Sequence, residues 1–295
     1  MMRALVPWDG LAPAGIRADV YDDAADVSDV DCFVLPYPQA TALPLIARMP
    51  RLRYLQTLYA GYDDLLPLLP AGATLCNGRG LHDASTAEHA LGLILAAQRY
   101  LPTWVRNQDR HEWRQQYTAS LADSTVVIVG YGSIGQALGR RLVACEATVV
   151  PVASRPREGV HGVAELPALL PTADIVVLVL PLTSATDRLF GADFLALLRD
   201  GALVVNVGRG RVLDTEALLA AGGRIRAALD VTDPEPLPAD HPLWNLPGVI
   251  ITPHVAGGSA TFYPRARRFV AEQLRRIVAG EPLHNVVLGP SIVSF

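Results

Sequence analysis

A chain of 295 residues, 51 % of them hydrophobic, has the apolar content for about two separately packed domains, since domains usually run to roughly 100–200 residues. Its formal net charge of −4 and scattered arginines supply no field for a polyanion, which excludes nucleic acid as a main partner. Cys32, Cys76 and Cys145 form no C-x-x-C pair, the N-terminus turns acidic too soon for a signal peptide, and no apolar run nears the ~18 residues that span a bilayer. A soluble, cytoplasmic protein with reduced thiols, no metal site and no membrane contact is expected.

The first third alternates short apolar runs with amphipathic stretches: RALVPW at 3–8, DCFVLPY at 31–37, TALPLIARM at 41–49 and LRYLQTL at 52–58. This pattern predicts a parallel α/β sheet. DASTAEHALGLILAAQRYL at 83–101 has helical spacing and small polar residues near its start, so it predicts a long buried helix. Periodicity then fades over 102–124, which reads as the passage between domains. Six apolar runs follow, TVVIVG at 125–130, TVVPVAS at 148–154, DIVVLVLP at 174–181, ALVVNVG at 202–208, RAALDV at 226–231 and VIITPH at 249–254. Separated by helical or turn segments, they predict a doubly wound sheet. A last helix over 261–280 carries arginines on its solvated face and Gly280 just past its end.

The second of these domains opens on VVIVGYGSIG at 126–135, a strand running into glycines spaced G-x-G-x-x-G. In that spacing Gly130 allows the tight turn, Gly132 lets a pyrophosphate approach the backbone and Gly135 lets helix pack on strand. The N–H groups at the helix start, around Ser133 and Ile134, face the phosphates. Three glycines alone are a weak signal, but the flanking strand and the helical QALGRRLVA at 136–144 strengthen it. Because the turn comes after residue 125, the N-terminal α/β region is a separate lobe, and a cleft between lobes is the expected substrate site.

Downstream, NVGRGRVLDTEAL at 206–218, ALDVTDPEPLP at 228–238 and ITPHVAGGS at 251–259 each place a charged or polar group at or after a strand end. Open α/β sheets bind ligands outside the carboxyl ends of their strands, so Arg209, Glu235 and His254 are expected to converge. A guanidinium fork holds a carboxylate and polarises a carbonyl. An imidazole exchanges a proton with an alcohol or ketone oxygen near neutral pH, and a neighbouring carboxylate fixes its tautomer and favours its protonated form.

In this order the motifs resemble those of the D-isomer-specific 2-hydroxyacid dehydrogenase family, over almost the whole chain. The resemblance implies two lobes: a flavodoxin-like catalytic lobe, residues 1–96 and 264–295, and an inserted Rossmann cofactor lobe, residues 97–263. It assigns substrate binding to Arg209, pairing with the histidine to Glu235 and acid/base chemistry to His254. It brings Asp230 to the nicotinamide amide, sets PLTSAT at 181–186, with Pro181 and Thr186, beside the nicotinamide ribose, and adds Val207 to the cofactor site. TLYAGYDDL at 57–65 is similar to the family loop whose N–H groups take the substrate carboxylate, here Ala60, Gly61 and Tyr62. Arg79 and His82 stand either as cleft residues that select substrate or as ordinary loop residues. A homodimer is implied, with 83–101 and 102–124 as contact candidates.

An NAD-preferring site usually ends its second strand with an acid that bonds the ribose 2′-OH. Here TVVPV runs into Ala153, Ser154, Arg155, Pro156 and Arg157, so NADP(H) is favoured, with NAD(H) possible: an uncharged residue removes repulsion toward a 2′-phosphate and guanidiniums bond it. The expected reaction is reduction of a small 2-oxo acid, glyoxylate or hydroxypyruvate by similarity to the NADP-using branch, to the D-2-hydroxy acid. Two departures from the family pattern bear on this. Glu146 replaces the glycine that commonly ends the first cofactor-lobe helix, which puts the register toward Ser154 in question, and the N-terminal lobe is abbreviated. The alternatives are a dinucleotide-sensing corepressor-like binding protein on the same fold and, ranked lower, a formate dehydrogenase, in which glutamine is expected where Glu235 stands.

Overall fold

The structure, a computed structural model, describes residues 1–22, 24–36, 42–62 and 65–289. Tyr37, Thr41, Asp63 and Asp64 of the segments quoted above, and residues 290–295 of the expected catalytic lobe, lie outside the described residues. In chain order the elements are β1 (Met2–Val6), β2 (Ile16–Val20), β3 (Cys32–Val34), β4 (Tyr54–Gln56), β5 (Thr74–Cys76), α1 (Asp83–Gln98), α2 (Leu101–Asp109), β6 (Thr125–Val129), α3 (Ser133–Ala144), β7 (Thr148–Ala153) and β8 (His161–Gly162). They continue with α4 (Leu166–Leu169), β9 (Ile175–Leu178), α5 (Ala192–Leu197), β10 (Leu203–Asn206), α6 (Thr215–Ala220), β11 (Arg226–Leu229), β12 (Val249–Ile251), α7 (Phe262–Ala279) and β13 (Val286–Leu288). Met1–His82 with the residues from Ala260 onward make one compact unit, and Asp83–Ser259 make the other.

The first unit is built on a sheet of order β2-β1-β3-β4-β5 with all pairs parallel, the flavodoxin order, extended by β13 running antiparallel to β5. Alternate residues of β1 serve its two faces. Leu5 packs with Phe33, Leu55 and Leu75, while Ala4 and Val6 pack with Ala266, Val270 and Leu274 of α7. The second unit carries a wholly parallel sheet, β8-β7-β6-β9-β10-β11-β12, the Rossmann order with one further strand. Val127, Val129, Val176, Leu178 and Val204 enter one core and Val126, Ile128, Ile175, Val177 and Val205 the opposite one. Because both faces are covered, these strands read as unbroken apolar runs.

The six predicted strands of this unit are present as β6, β7, β9, β10, β11 and β12. The unit boundary differs from the expected one. Ala87, Ala90, Leu93, Ile94 and Ala97 of α1 pack with Val126, Ile128 and Leu138, so α1 groups with the second unit and the division falls at 82/83 and 259/260 rather than at 96/97 and 263/264. The expected long helix breaks where Tyr100 adopts φ 54° and restarts as α2. The segment 102–124, read as a passage between domains, belongs wholly to the second unit. Its return is fixed by Gln98 Nε2 on the Ser120 carbonyl (2.9 Å) and Arg99 Nε on Thr118 Oγ1 (3.0 Å). TALPLIARM contains a short 3-10 helix, Leu43–Arg48. Glu146 takes φ +63°, the left-handed conformation a glycine adopts readily, and β7 ends at Ala153 with Ser154 next. The last helix ends on Gly280 (φ +66°), and Arg275 and Arg276 on its wet face pair with Glu272 and Glu281. Among the described residues no helix is long and apolar enough to cross a membrane.

Burial pushes the Cys32 thiol up to about 12 and that of Cys76 up to about 11, whereas Cys145 is half-buried. Since the thiolate is the reactive form, an aromatic disulfide reagent at pH 8 is expected to titrate one thiol in the folded protein and all three in denaturant.

Candidate active site

The glycine turn lies between β6 and α3. Gly130 has φ +108° and an added Cβ would overlap the Val179 carbonyl oxygen, while a Cβ on Gly135 would stand 2.5 Å from the Gly130 oxygen. Around Gly132 an added Cβ meets nothing within 4 Å, so the space in front of the turn is open. No side chain caps α3, and the N–H groups of Ser133, Ile134 and Gly135 have no acceptor among the described residues. A bare helix N-terminus behind an open turn fits a pyrophosphate, because its N–H groups and dipole both favour an anion. Ser133 Oγ itself reaches Asp83 Oδ1 at 3.1 Å.

At the end of β7, Ser154 and Arg155 are exposed, and Arg155 engages none of the described residues. Arg157, two residues on, donates from Nη2 to the Tyr131 carbonyl at 3.0 Å, back onto the glycine turn. After β9, Pro181 and Thr186 close a tight turn in which Thr186 Oγ1 donates to the Pro181 carbonyl (2.7 Å) and accepts from Thr183 N–H (2.8 Å). Val207 is buried at the end of β10.

Arg209, Glu235 and His254 follow β10, β11 and β12, three neighbouring parallel strands, so all three stand at carboxyl ends on one edge of the sheet. The loop carrying Arg209 is shaped by buried Asn206, which donates to the Arg209 carbonyl (2.9 Å) and accepts from Gly208 N–H (3.1 Å). It lies so close to the loop after β11 that a Cβ on Gly210 would overlap the Thr232 carbonyl. The guanidinium is exposed and donates to the Gly208 carbonyl at 2.8 Å. His254 Nδ1 meets Glu235 Oε1 at 2.5 Å, and Nε2 has no hydrogen-bond partner among the described residues. Beside this pair a cavity of about 470 Å³ is walled by Leu237, Trp244 and Ile251.

Asp230, expected to approach a nicotinamide amide, follows β11 and lines the cavity beside His254. Its carboxylate is buried, with Oδ1 accepting from Thr252 Oγ1 (2.6 Å) and Val255 N–H (3.0 Å) and Oδ2 from Ala256 N–H (2.9 Å). His89 Nε2, on α1, lies 3.3 Å from the same Oδ1. Asp230 thus holds the loop that bears His254. His89, Thr252 and Asn206 were missed in the sequence. Their only signals there are a histidine amid small residues on a helix and polar residues closing two apolar strands.

In the first unit, Asn77 Nδ2 donates to the Ala60 carbonyl (2.7 Å) and Gly78 N–H to that of Tyr59 (2.8 Å). The N–H groups of Ala60, Gly61 and Tyr62 have no acceptor among the described residues, as an anion-binding loop requires. His82 is committed elsewhere: Nε2 bonds the Leu58 carbonyl (2.9 Å) and the ring stacks on Phe262 at 4.6 Å. Arg79 is exposed, with Nη2 3.4 Å from Asn285 Oδ1.

The family model described as D-isomer specific 2-hydroxyacid dehydrogenase, NAD binding domain, matches residues 91–256. The chain belongs to the D-isomer specific 2-hydroxyacid dehydrogenase family. It is 33 % identical over 312 residues to D-3-phosphoglycerate dehydrogenase of Mycobacterium bovis, covering 97 % of this chain and 59 % of that protein, so it spans about three-fifths of that relative's length. Over 240 residues it is 36 % identical to glyoxylate/hydroxypyruvate reductase B of Citrobacter koseri, covering 75 % of this chain and 72 % of the relative. Among solved structures it is similar to the NADPH-dependent glyoxylate/hydroxypyruvate reductase of Sinorhizobium meliloti in complex with NADP and sulfate, with a TM-score of 0.83, 28 % identity and coverage of 97 % and 98 % of the two chains.

The turn geometry makes two glycine substitutions behave oppositely in this dehydrogenase-family chain. Gly130→Ala is expected to cost about 2 kcal/mol or more, from backbone strain and overlap with Val179, whereas Gly132→Ala should stay within about 1 kcal/mol. Thermal and urea melts of both variants check this.

Proposed function

We propose that this protein reduces a small 2-oxo acid, of the glyoxylate or hydroxypyruvate kind, to the D-2-hydroxy acid, using NADPH in preference to NADH, in the cytoplasm. The observation that carries this reading is the His254–Glu235 pair. With Nδ1 held at 2.5 Å by the carboxylate, Nε2 is the nitrogen left to exchange a proton, and Arg209 stands after the adjoining strand to bind and polarise an oxo acid.

The bare amides of Ser133, Ile134 and Gly135 would hold the dinucleotide pyrophosphate, with Pro181, Thr186, Val207 and the Asp230 strand end beside its nicotinamide half. When bound, the reduced nicotinamide supplies the hydride for the keto carbon. The chain's own residues do the rest. The amides of Ala60, Gly61 and Tyr62 bind a carboxylate, Arg209 neutralises charge growing on the carbonyl oxygen, and His254 delivers a proton to that oxygen from Nε2. Glu235 keeps the ring aimed and stabilises the charged imidazole before transfer. Preference for NADPH follows from Ser154 and Arg155, where a carboxylate would repel a 2′-phosphate. The NADP complex of the similar reductase supports it. The corepressor-like alternative finds no support in the relatives described above, which are dehydrogenases and reductases.

Oxidation of NADPH and NADH should be measured against glyoxylate, hydroxypyruvate, pyruvate and bulkier 2-oxo acids. Purified His254→Ala is expected to lose about 100- to 10,000-fold in kcat; near-normal turnover would remove His254 from the chemistry. Arg155→Ala should lower kcat/KM with NADPH about tenfold or more and spare NADH; equal or better use of NADH by the unaltered protein would overturn the cofactor preference.

The same reading includes a homodimer. Leu101, Val105, Trp113 and Tyr117, on α2 and the segment after it, are 48 %, 59 %, 91 % and 103 % exposed, a run of apolar surface that a second copy would cover. Sedimentation equilibrium should give twice the 31.6 kDa chain mass, falling to one chain for Trp113→Glu with Tyr117→Glu.

A further inference from the structure

His89 takes no part in the roles assigned above, yet its ring enters the buried network behind the acid/base residue. Its Nε2 lies 3.0 Å from Thr252 Oγ1 and 3.3 Å from Asp230 Oδ1. The tautomer follows from proton counting. A threonine hydroxyl has one hydrogen, and that of Thr252 is donated to Asp230 Oδ1 at 2.6 Å. Nε2 must therefore carry a hydrogen and donate, leaving the imidazole in its Nε2–H form or charged.

The Asp230 side chain is 1 % exposed, so its charge depends on the donors that converge on it. Those donors are the Thr252 hydroxyl and the Val255 and Ala256 N–H groups, and the His89 ring on α1 lies 3.3 Å away behind Thr252. Between Thr252 and Val255 sits His254, whose φ of +53° is left-handed and costly for a residue with a Cβ. Its own N–H is anchored to the Asp230 carbonyl at 2.7 Å. The strained residue is thus held by bonds on both sides, all leading to Asp230.

We propose that His89 is a positioning residue: its Nε2–H closes a clasp, His89 to Thr252 to Asp230, that fixes the backbone of His254 so that its ring reaches Glu235. The catalytic consequence rests on the function proposed above; the clasp itself does not. The required group is a hydrogen-bond donor, and no change of charge is involved. Glutamine, whose Nε2 donates from a similar distance and does not titrate, should replace it, and phenylalanine, which keeps the ring and loses the donor, should not.

Two readouts test this on the full chain. Amide hydrogen exchange at Val255 and Ala256 should accelerate about tenfold in His89→Phe and return to within about twofold of the unaltered protein in His89→Gln. In 2-oxo acid reduction, kcat should fall about tenfold in His89→Phe and recover in His89→Gln, with KM for the dinucleotide little changed. Thr252→Val cuts the same chain at its middle link and covers the case in which His89→Phe fails to fold. Combined with His89→Phe it should add no further loss, whereas additive losses would overturn the proposal. So would unchanged exchange in both single variants, or a glutamine variant as impaired as the phenylalanine one. Exchange that responds as expected in a protein without oxo acid turnover would support the clasp and count against the reductase reading.

Discussion

A buried carboxylate has to collect donors, and where those donors come from decides which pieces of chain are held together. Asp230 is that group here. Standing at the end of β11, it draws the Thr252 hydroxyl from the end of β12 and the N–H groups of Val255 and Ala256 from the following loop. The segment between has little freedom left, and His254 is caught in it with a left-handed backbone. Without those bonds the loop would relax to an ordinary conformation and the ring would leave Glu235. The 2.5 Å contact between His254 and Glu235 is therefore a product of the network behind it.

Close approach of main chain to main chain is the second constraint, and it acts through glycine. At Gly130 the turn after β6 lies against Val179 after β9, and at Gly210 the Arg209 loop lies against Thr232 after β11. A side chain at either place would push neighbouring strand ends apart. Parallel strands in Rossmann order bring all these ends to one edge, so one open turn, one guanidinium and one imidazole–carboxylate pair share an edge without being near in sequence.

Much of this was legible in the chain. The strands of the second unit announce themselves because both faces are buried, which leaves runs such as VVIV and IVVL without polar interruption. In the first unit β2, β5 and β13 were not legible. β2 is an edge strand with charged residues on its solvated positions, and the other two are three residues long, too short to show a period. The boundary was misplaced because α1 is apolar on a face that suits either unit; only its packing against Val126, Ile128 and Leu138 assigns it. His82 was undecidable from its loop, and its stack on Phe262, 180 residues later, leaves no mark in that loop.

Motif order alone determined the family and the α/β plan, and it singled out Arg209, Glu235 and His254 as residues that follow strand ends, because strand ends are readable from hydrophobic runs. Which groups hold them was decided only by tertiary structure. His89 and Thr252 are 163 positions apart, and a hydrogen bond between them leaves no trace in either neighbourhood of the sequence. The same holds for the direction in which Asp230 faces. Its type and place were plain, but its partners depend on how α1, β11 and β12 pack, a long-range outcome that local spacing does not encode.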